Sequence, residues 1–347
     1  MGCNSRRLSV APMMDWTDRH CRFFLRQFSP HALLYTEMIT AAALVHGDAR
    51  RLLAFDPAEH PVALQLGGSE PDALARAADL GAAEGYDEIN LNVGCPSDRV
   101  QSGTFGACLM AQPALVADCV ATMRARVRIP VTVKVRIGIE RGEGAASRGL
   151  EYTDADEERL HDFVTTVAAA GCQVFAIHAR KAVLSGFSPK DNRDIPPLRY
   201  DVVLRLKRRF PALTIVANGG IRDATAALEL LRDVDGVMIG REAYHHPYLL
   251  SELERGIYPH GDWLPPERIA VLEKLSRYAV TQLDAGHRLH SITRHILGLF
   301  AGQPGARSLR RYFADAARGE NAGVEVLERV VELLQRASVS PTSGHLV

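Results

Sequence analysis

The segment Asn90-Leu91-Asn92-Val93-Gly94-Cys95-Pro96-Ser97 sets a thiol on a loop bounded by glycine and proline, directly after a short apolar run. That is where α/β enzymes carry reactive side chains. A cysteine that only packs sits within an apolar run, whereas Cys95 is flanked by Asn90, Asn92 and Ser97. Taken alone, the pattern suits a catalytic and a structural thiol equally. Other polar side chains recur at the ends of other apolar runs: Asp15 after Pro12-Met13-Met14, then Glu37, Gln65, Lys134 with Arg136, and His178 with Arg180. Asn218-Gly219-Gly220 and Gly240-Arg241 close the series. Glycines after the last two runs let backbone N–H groups approach a phosphate at a helix N-terminus, and Arg241 adds a fork-shaped cation. Neither a Walker motif nor a GxGxxG after a first strand is present. A phosphorylated cofactor is therefore expected. Lys134 and Gln65 suit the electron-rich pyrimidine side of a flavin, which points to FMN.

The elements that must position these residues alternate along the chain. Eight short runs, Leu8–Ala11, Leu33–Thr36, Val62–Leu66, Glu88–Asn92, Val131–Val135, Val174–His178, Thr214–Ala217 and Gly236–Ile239, are each followed by a helical stretch. Pro71 to Glu84 carries an Ala/Leu face, and Asp223 to Arg232 opens on an acidic N-cap candidate. The alternation predicts a parallel sheet with right-handed crossovers. Strand count alone leaves two α/β architectures, a closed (β/α)8 TIM barrel and an open doubly wound sheet. The clustering of polar residues at the strand ends favours the barrel. The Gly-rich stretch 140–149 reads as a mobile loop, either a lid over the substrate or a neutral insertion.

The 347 residues allow one large domain and a smaller one, and 47% apolar with 24% charged residues is ordinary for a globular chain. Six cysteines without a CxxC pair or zinc-type spacing argue against disulfides and structural metal. No apolar run approaches the ~18 residues a membrane span needs, so a cytoplasmic location is expected. A net charge of zero argues against a uniformly basic nucleic-acid binder. Yet Gly286 to Tyr312 holds five arginines (Arg288, Arg294, Arg307, Arg310, Arg311) and three histidines with no acid, a pattern open to a polyanion contact or a solvated helix face.

Across nearly its whole length the sequence resembles the tRNA-dihydrouridine synthases, and within them the A-type (20/20a) subgroup. The likeness rests on Ala11-Pro12-Met13-Met14-Asp15, Asn92-Val93-Gly94-Cys95-Pro96, Ile177-His178-Ala179-Arg180-Lys181, Asn218-Gly219-Gly220-Ile221 and Gly240-Arg241-Glu242-Ala243-Tyr244. Gln303-Pro304-Gly305-Ala306-Arg307 and the subgroup-like Leu184 to Arg193 extend it. The resemblance implies an FMN-binding TIM-barrel catalytic domain over 1–255 and a helical tRNA-binding domain over 265–340. The latter reads as helices at Glu267–Ala285, Leu289–Ala301, Ser308–Arg318 and Val324–Ala337. It implies reduction of D-loop uridine with NADPH as electron source, hydride going from reduced FMN to C6 and a proton from Cys95 to C5. Flavin contacts are implied for Pro12, Met13, Met14, Gln65, Lys134, His178, Asn218, Gly219, Gly220, Gly240 and Arg241. Asn92 would hydrogen-bond the uracil, Arg180 would face flavin and substrate, and Lys190, Arg193, Arg307 and Arg310 would touch tRNA. No metal is called for, and a monomer is expected. The competing reading is an FMN barrel acting on a free pyrimidine such as dihydroorotate, for which the arginine run and helical appendage have no use.

Overall fold

The computed structural model describes residues 6–97, 105–148, 150–258, 263–319 and 321–339. In Val131-Thr132-Val133-Lys134-Val135-Arg136 every second residue is apolar, and a strand sends alternate side chains to opposite faces. Val131, Val133 and Val135 accordingly join Ile89, Leu91, Ile177 and Leu206 in the core between sheet and helices. Thr132, Lys134 and Arg136 take the other face. The same logic gives eight strands: β1 (Leu8–Val10), β2 (Leu33–Thr40), β3 (Val62–Gly67), β4 (Glu88–Val93), β5 (Val131–Arg136), β6 (Val174–His178), β7 (Thr214–Asn218) and β8 (Gly236–Ile239).

All neighbours are parallel, and the sheet closes in the order β1-β8-β7-β6-β5-β4-β3-β2. Pairing of Leu8 with Val237 and Val10 with Ile239 joins the first strand to the last, so the barrel holds and the open sheet does not. Strand β2 runs past its expected end at Thr36, with a register shift between Tyr35 and Met38, so that Glu37 lies within the strand. Helix Pro71–Glu84 starts on proline and stops at Gly85, whose φ of 106° only glycine adopts freely. Asp223 caps Ala224–Leu230 by accepting from the Ala226 amide.

The chain divides into two compact units, Met1–Asp15 with His31–Gly240, and Trp16–Pro30 with Arg241–Val347. The first is the barrel with the helices that follow β2 to β7. The second gathers Arg19–Arg26, Arg241–His245, Tyr248–Ile257 and the C-terminal helices. Those are Arg268–Asp284, Leu289–Thr293, a 3-10 turn Ile296–Phe300, Ala306–Ala316 and Glu325–Val339. The single helix expected over Leu289–Ala301 is thus broken in two. Arg294 Nη2 and His295 Nε2 both reach Asp18 Oδ2, at 2.7 and 2.9 Å. Gly298 lies so close to Tyr244 that a Cβ would fall 2.5 Å from that carbonyl oxygen. These fixed contacts pull the segment off a regular helical path. Among the described residues no helix is long and apolar enough to cross a membrane.

Residues 140–148 of the Gly-rich stretch are described; Gly149 lies outside the described residues. Ile139–Glu140 pairs with Ala182–Val183, and Ala145–Arg148 forms a helical turn. Buried Lys181 binds Glu140 Oε1 at 2.6 Å and Asp156 Oδ2 at 2.9 Å. Arg148 spans the stretch, taking Glu140 Oε2 at 3.1 Å and the carbonyls of Glu143 and Arg141 at 2.8 Å each. Charge pairing thus ties residues 140–148 to Lys181 and Arg148.

Candidate active site

The C-terminal ends of β3 to β7 bring the polar residues together. Asn92, at the end of β4, is buried, and its Oδ1 accepts the backbone N–H groups of Gly94 and Cys95, both at 3.0 Å. This is an Asx-type turn, in which a side-chain amide substitutes for a backbone acceptor and fixes the loop. Asn92 Nδ2 donates to Gln65 Oε1 on β3 at 3.0 Å, so only its second Nδ2–H remains to face a ligand. Cys95 is half-buried; its Sγ lies 3.5 Å from Ser97 Oγ, and its carbonyl accepts from the Ala107 amide at 2.9 Å.

Lys134 stands beside Asn92 in the register of β4 and β5. Among the described residues nothing forms a hydrogen bond or ion pair with its ammonium. Burial draws it down to about 7, Arg136 pushes the same way, and Cys95 opposes them. Two residues on, buried Arg136 is drawn down to about 10 by burial, with Cys95 opposing and Arg193 and Arg180 reinforcing. Its guanidinium donates to the carbonyls of Gly94 (3.0 Å), Lys181 (3.0 Å) and Asn192 (2.9 Å). Arg136 thereby ties the Cys95 loop to the loop after β6. The sequence reading noticed it at a strand end but gave it no role, because its three acceptors are backbone atoms that leave no pattern in side-chain types.

His178 pairs in register with both Arg136 and Asn218. Its ring packs on Gly219, where a Cβ would fall 3.0 Å from Nε2. Asn218 is buried and donates to the Met238 carbonyl at 2.7 Å. Gly219 and Gly220 have φ of 109° and 67°, left-handed values that favour glycine. Among the described residues no acceptor takes either of their N–H groups. Among the described residues, and apart from its chain neighbours, no atom lies within 4 Å of a Cβ built on Gly240. Two consecutive glycine N–H groups, open backbone after β8 and a half-buried cation suit an anionic, phosphorylated cofactor with an electron-rich ring.

The remaining candidates lie further out. Met14 is 56% exposed, and the Pro12–Met14 segment leads into Asp15, whose φ of 63° is left-handed and whose amide donates to Glu37 Oε1. Arg180 donates to the Pro196 carbonyl. Lys190 and Arg193 are exposed, at the start of and within Asp191–Asp194. In the second unit, Arg241 begins Arg241–His245, while Arg307 and Arg310 are exposed on Ala306–Ala316, away from buried Leu309 and Phe313. Of the acid-free run, Arg294 is engaged by Asp18, whereas Arg307, Arg310 and Arg311 face outward. Among the described residues no group of three or more His, Cys, Asp or Glu could hold a metal ion.

A sequence model of the dihydrouridine synthase family matches residues 9–338. The tRNA-dihydrouridine(20/20a) synthase of Synechocystis sp. is 55% identical over 325 residues, covering 94% of this chain and 93% of that protein. The enzymes of the same name from Escherichia coli K12 and Pseudomonas putida are 54% and 53% identical, each over 95% of this chain and over 92% and 95% of their own. Among solved structures, a 2-naphthoyl-CoA reductase in complex with 2-naphthoyl-CoA superposes with a TM-score of 0.53 at 12% identity. It covers 72% of this chain, and this chain spans half of its length, so that likeness speaks for the barrel alone.

Proposed function

This chain belongs to the dihydrouridine synthase family, and on that premise we propose that it reduces uridine to 5,6-dihydrouridine at positions 20 and 20a of the tRNA D-loop. The proposal rests on one juxtaposition: a half-buried thiol whose backbone is held by Asn92, beside a half-buried lysine that, among the described residues, pairs with no anion. FMN, when bound, supplies the hydride that goes to uracil C6, with NADPH as the source of electrons.

Gly219, Gly220, Gly240 and Arg241 would hold its phosphate, and Gln65, Lys134, His178, Asn218 and the Pro12–Met14 segment would line its ring. Lys134 would offset negative charge developing on that ring, an interaction strengthened by partial desolvation. Asn92 orients the uracil by donating from its second Nδ2–H. As charge develops over C5 and O4, Cys95 delivers the Sγ proton to C5. A thiol is a far stronger acid than a serine hydroxyl and so gives up its proton to carbon more readily. Arg136 holds the loop that presents this thiol, and Arg180 faces the substrate.

Extracting a base from folded RNA costs a few kcal/mol, offset by contacts to surrounding phosphates. Lys190, Arg193, Arg307 and Arg310 supply them. Residues 1–255 thus serve catalysis and 265–340 serve tRNA binding, in a cytoplasmic monomer. Mass-spectrometric mapping of tRNA from cells lacking this chain tests the proposal. Loss of dihydrouridine at positions 20 and 20a is expected; unchanged tRNA would move the activity to a free pyrimidine.

A further inference from the structure

Beneath Asn92 and Gln65 a single file of hydrogen bonds continues down the barrel. Gln65 Nε2 donates to Asn90 Oδ1 (2.8 Å), Asn90 Nδ2 to Thr132 Oγ1 (2.8 Å), and Thr132 Oγ1 to Glu88 Oε1 (2.7 Å). Glu88 is fully buried and also accepts from Tyr35 OH at 2.6 Å and from Arg6 Nε and Nη2 at 2.9 and 2.8 Å. Glu88, Asn90 and Asn92 alternate along β4, with Gln65 and Thr132 beside Asn90 in register on β3 and β5.

Direction in this file is set from its lower end. A carboxylate paired with a guanidinium only accepts, and both Glu88 oxygens are taken. Thr132 has one proton, which goes to Glu88, so its oxygen must accept from Asn90. Asn90 then presents Nδ2 to Thr132 and Oδ1 to Gln65, and Gln65 presents Oε1 to Asn92. Asn92 must therefore turn Oδ1 towards the Gly94 and Cys95 amides. A carboxamide free of this constraint has two nearly isosteric orientations, only one of which accepts those N–H groups.

We propose that Glu88, acting through Thr132 and Asn90, is a positioning residue that fixes the orientation of the Gln65 and Asn92 carboxamides and thereby holds the Cys95 loop in its reactive geometry. Its relevance to turnover rests on the reading of Cys95 as the proton donor. Thr132, Asn90 and Glu88 bond to one another and to Gln65 rather than to the thiol; they determine which way the carboxamides above them are turned.

The test compares Thr132→Val, which keeps shape and removes the hydroxyl, with Thr132→Ser, which keeps the hydroxyl. Both are examined as flavin-loaded enzyme. Thr132→Val is expected to speed amide exchange of the segment containing Gly94 and Cys95 by about tenfold and to lower kcat by about tenfold at unchanged KM for tRNA, the effect of losing one buried hydrogen bond. Thr132→Ser is expected to restore both. Glu88→Gln, whose amide can donate, is the second variant should Thr132→Val not fold; it frees the file to reverse and shifts both readouts in the same direction. A folded Thr132→Val or Glu88→Gln enzyme with native exchange and kcat would overturn the proposal, as would a Thr132→Ser enzyme no better than the valine variant. Exchange does not depend on the substrate. A chain that left tRNA unmodified would refute the function without touching this readout.

Discussion

The two halves of the barrel interior are built on different principles. Between β3 and β5 it is filled by Gln65, Asn90, Asn92, Thr132 and Glu88, each bonded to the next. Across β6, β7 and β8 it is filled by Val174, Ala176, Val216 and Met238, with Ala11 just after β1, Leu33 and Tyr35 from β2 and Ala63 from β3 in the same cluster. Apolar packing is non-directional and asks only for volume and shape. A hydrogen-bonded file also specifies which atom faces which neighbour, and leaving one member unpaired is costly in a buried setting. The polar half lies under Cys95, where orientation matters. The apolar half supports the backbone that leads to the glycines after β7 and β8.

Removing the thiol at the upper end of the polar half is expected to have the largest effect. Cys95→Ala should lower dihydrouridine formation by roughly 10²- to 10⁴-fold, the usual worth of a general acid, without changing the melting temperature. Dihydrouridine formed at the native rate would refute the acid assignment. At the lower end, Glu88→Leu leaves Arg6, Tyr35 and Thr132 without their acceptor. It should destabilise the fold by about 3–5 kcal/mol, measured by denaturant unfolding.

Lys134 sharpens the contrast through pH. In the flavin-free protein its ammonium is drawn down to about 7 by burial, from an unfolded value near 10.5. From about pH 7 up to that unfolded value the unfolded chain holds the extra proton, so stability should rise with pH across this window. The anionic ring of reduced FMN would favour the proton on Lys134, so affinity for reduced FMN should weaken above pH 7, at most about tenfold per unit. Lys134→Met should abolish both trends; a pH-dependent affinity surviving in that variant would remove Lys134 from the flavin site.

Arg310 belongs to the second unit, and Arg310→Ala should raise KM for tRNA a few-fold with kcat unchanged and reduce the salt dependence of binding by about one ion. The smallest response is expected from the apolar half. Met238→Leu conserves volume and should cost less than about 1.5 kcal/mol with native turnover. A loss comparable to that of Glu88→Leu would erase the distinction between the halves.

Barrel strands were legible because their periodicity is local. Val131-Thr132-Val133-Lys134-Val135-Arg136 advertises a two-faced strand in six residues, and Pro71 and Gly85 frame their helix by backbone preference alone. The placing of Asn92, Gln65 and Lys134 near strand ends, and of Cys95 on the loop after β4, was legible for the same reason. Hidden from the sequence were the anchoring of 140–148 by Lys181, the role of Arg136 and the file ending at Glu88. Each depends on partners brought close only by folding: Lys181 to Glu140 across 41 positions, Arg136 to Asn192 across 56, Thr132 to Glu88 across 44.

The types and order of the strand-end residues, the alternation that makes the strands and the glycines that permit left-handed turns were determined by the sequence itself, since each acts through its own backbone or its nearest neighbours. Closure of the sheet, the choice of Arg136 as a clamp and the direction of every carboxamide beneath Cys95 were decided only in the tertiary structure. A hydrogen bond has a sense only once donor and acceptor face each other, and here they do so from three different strands.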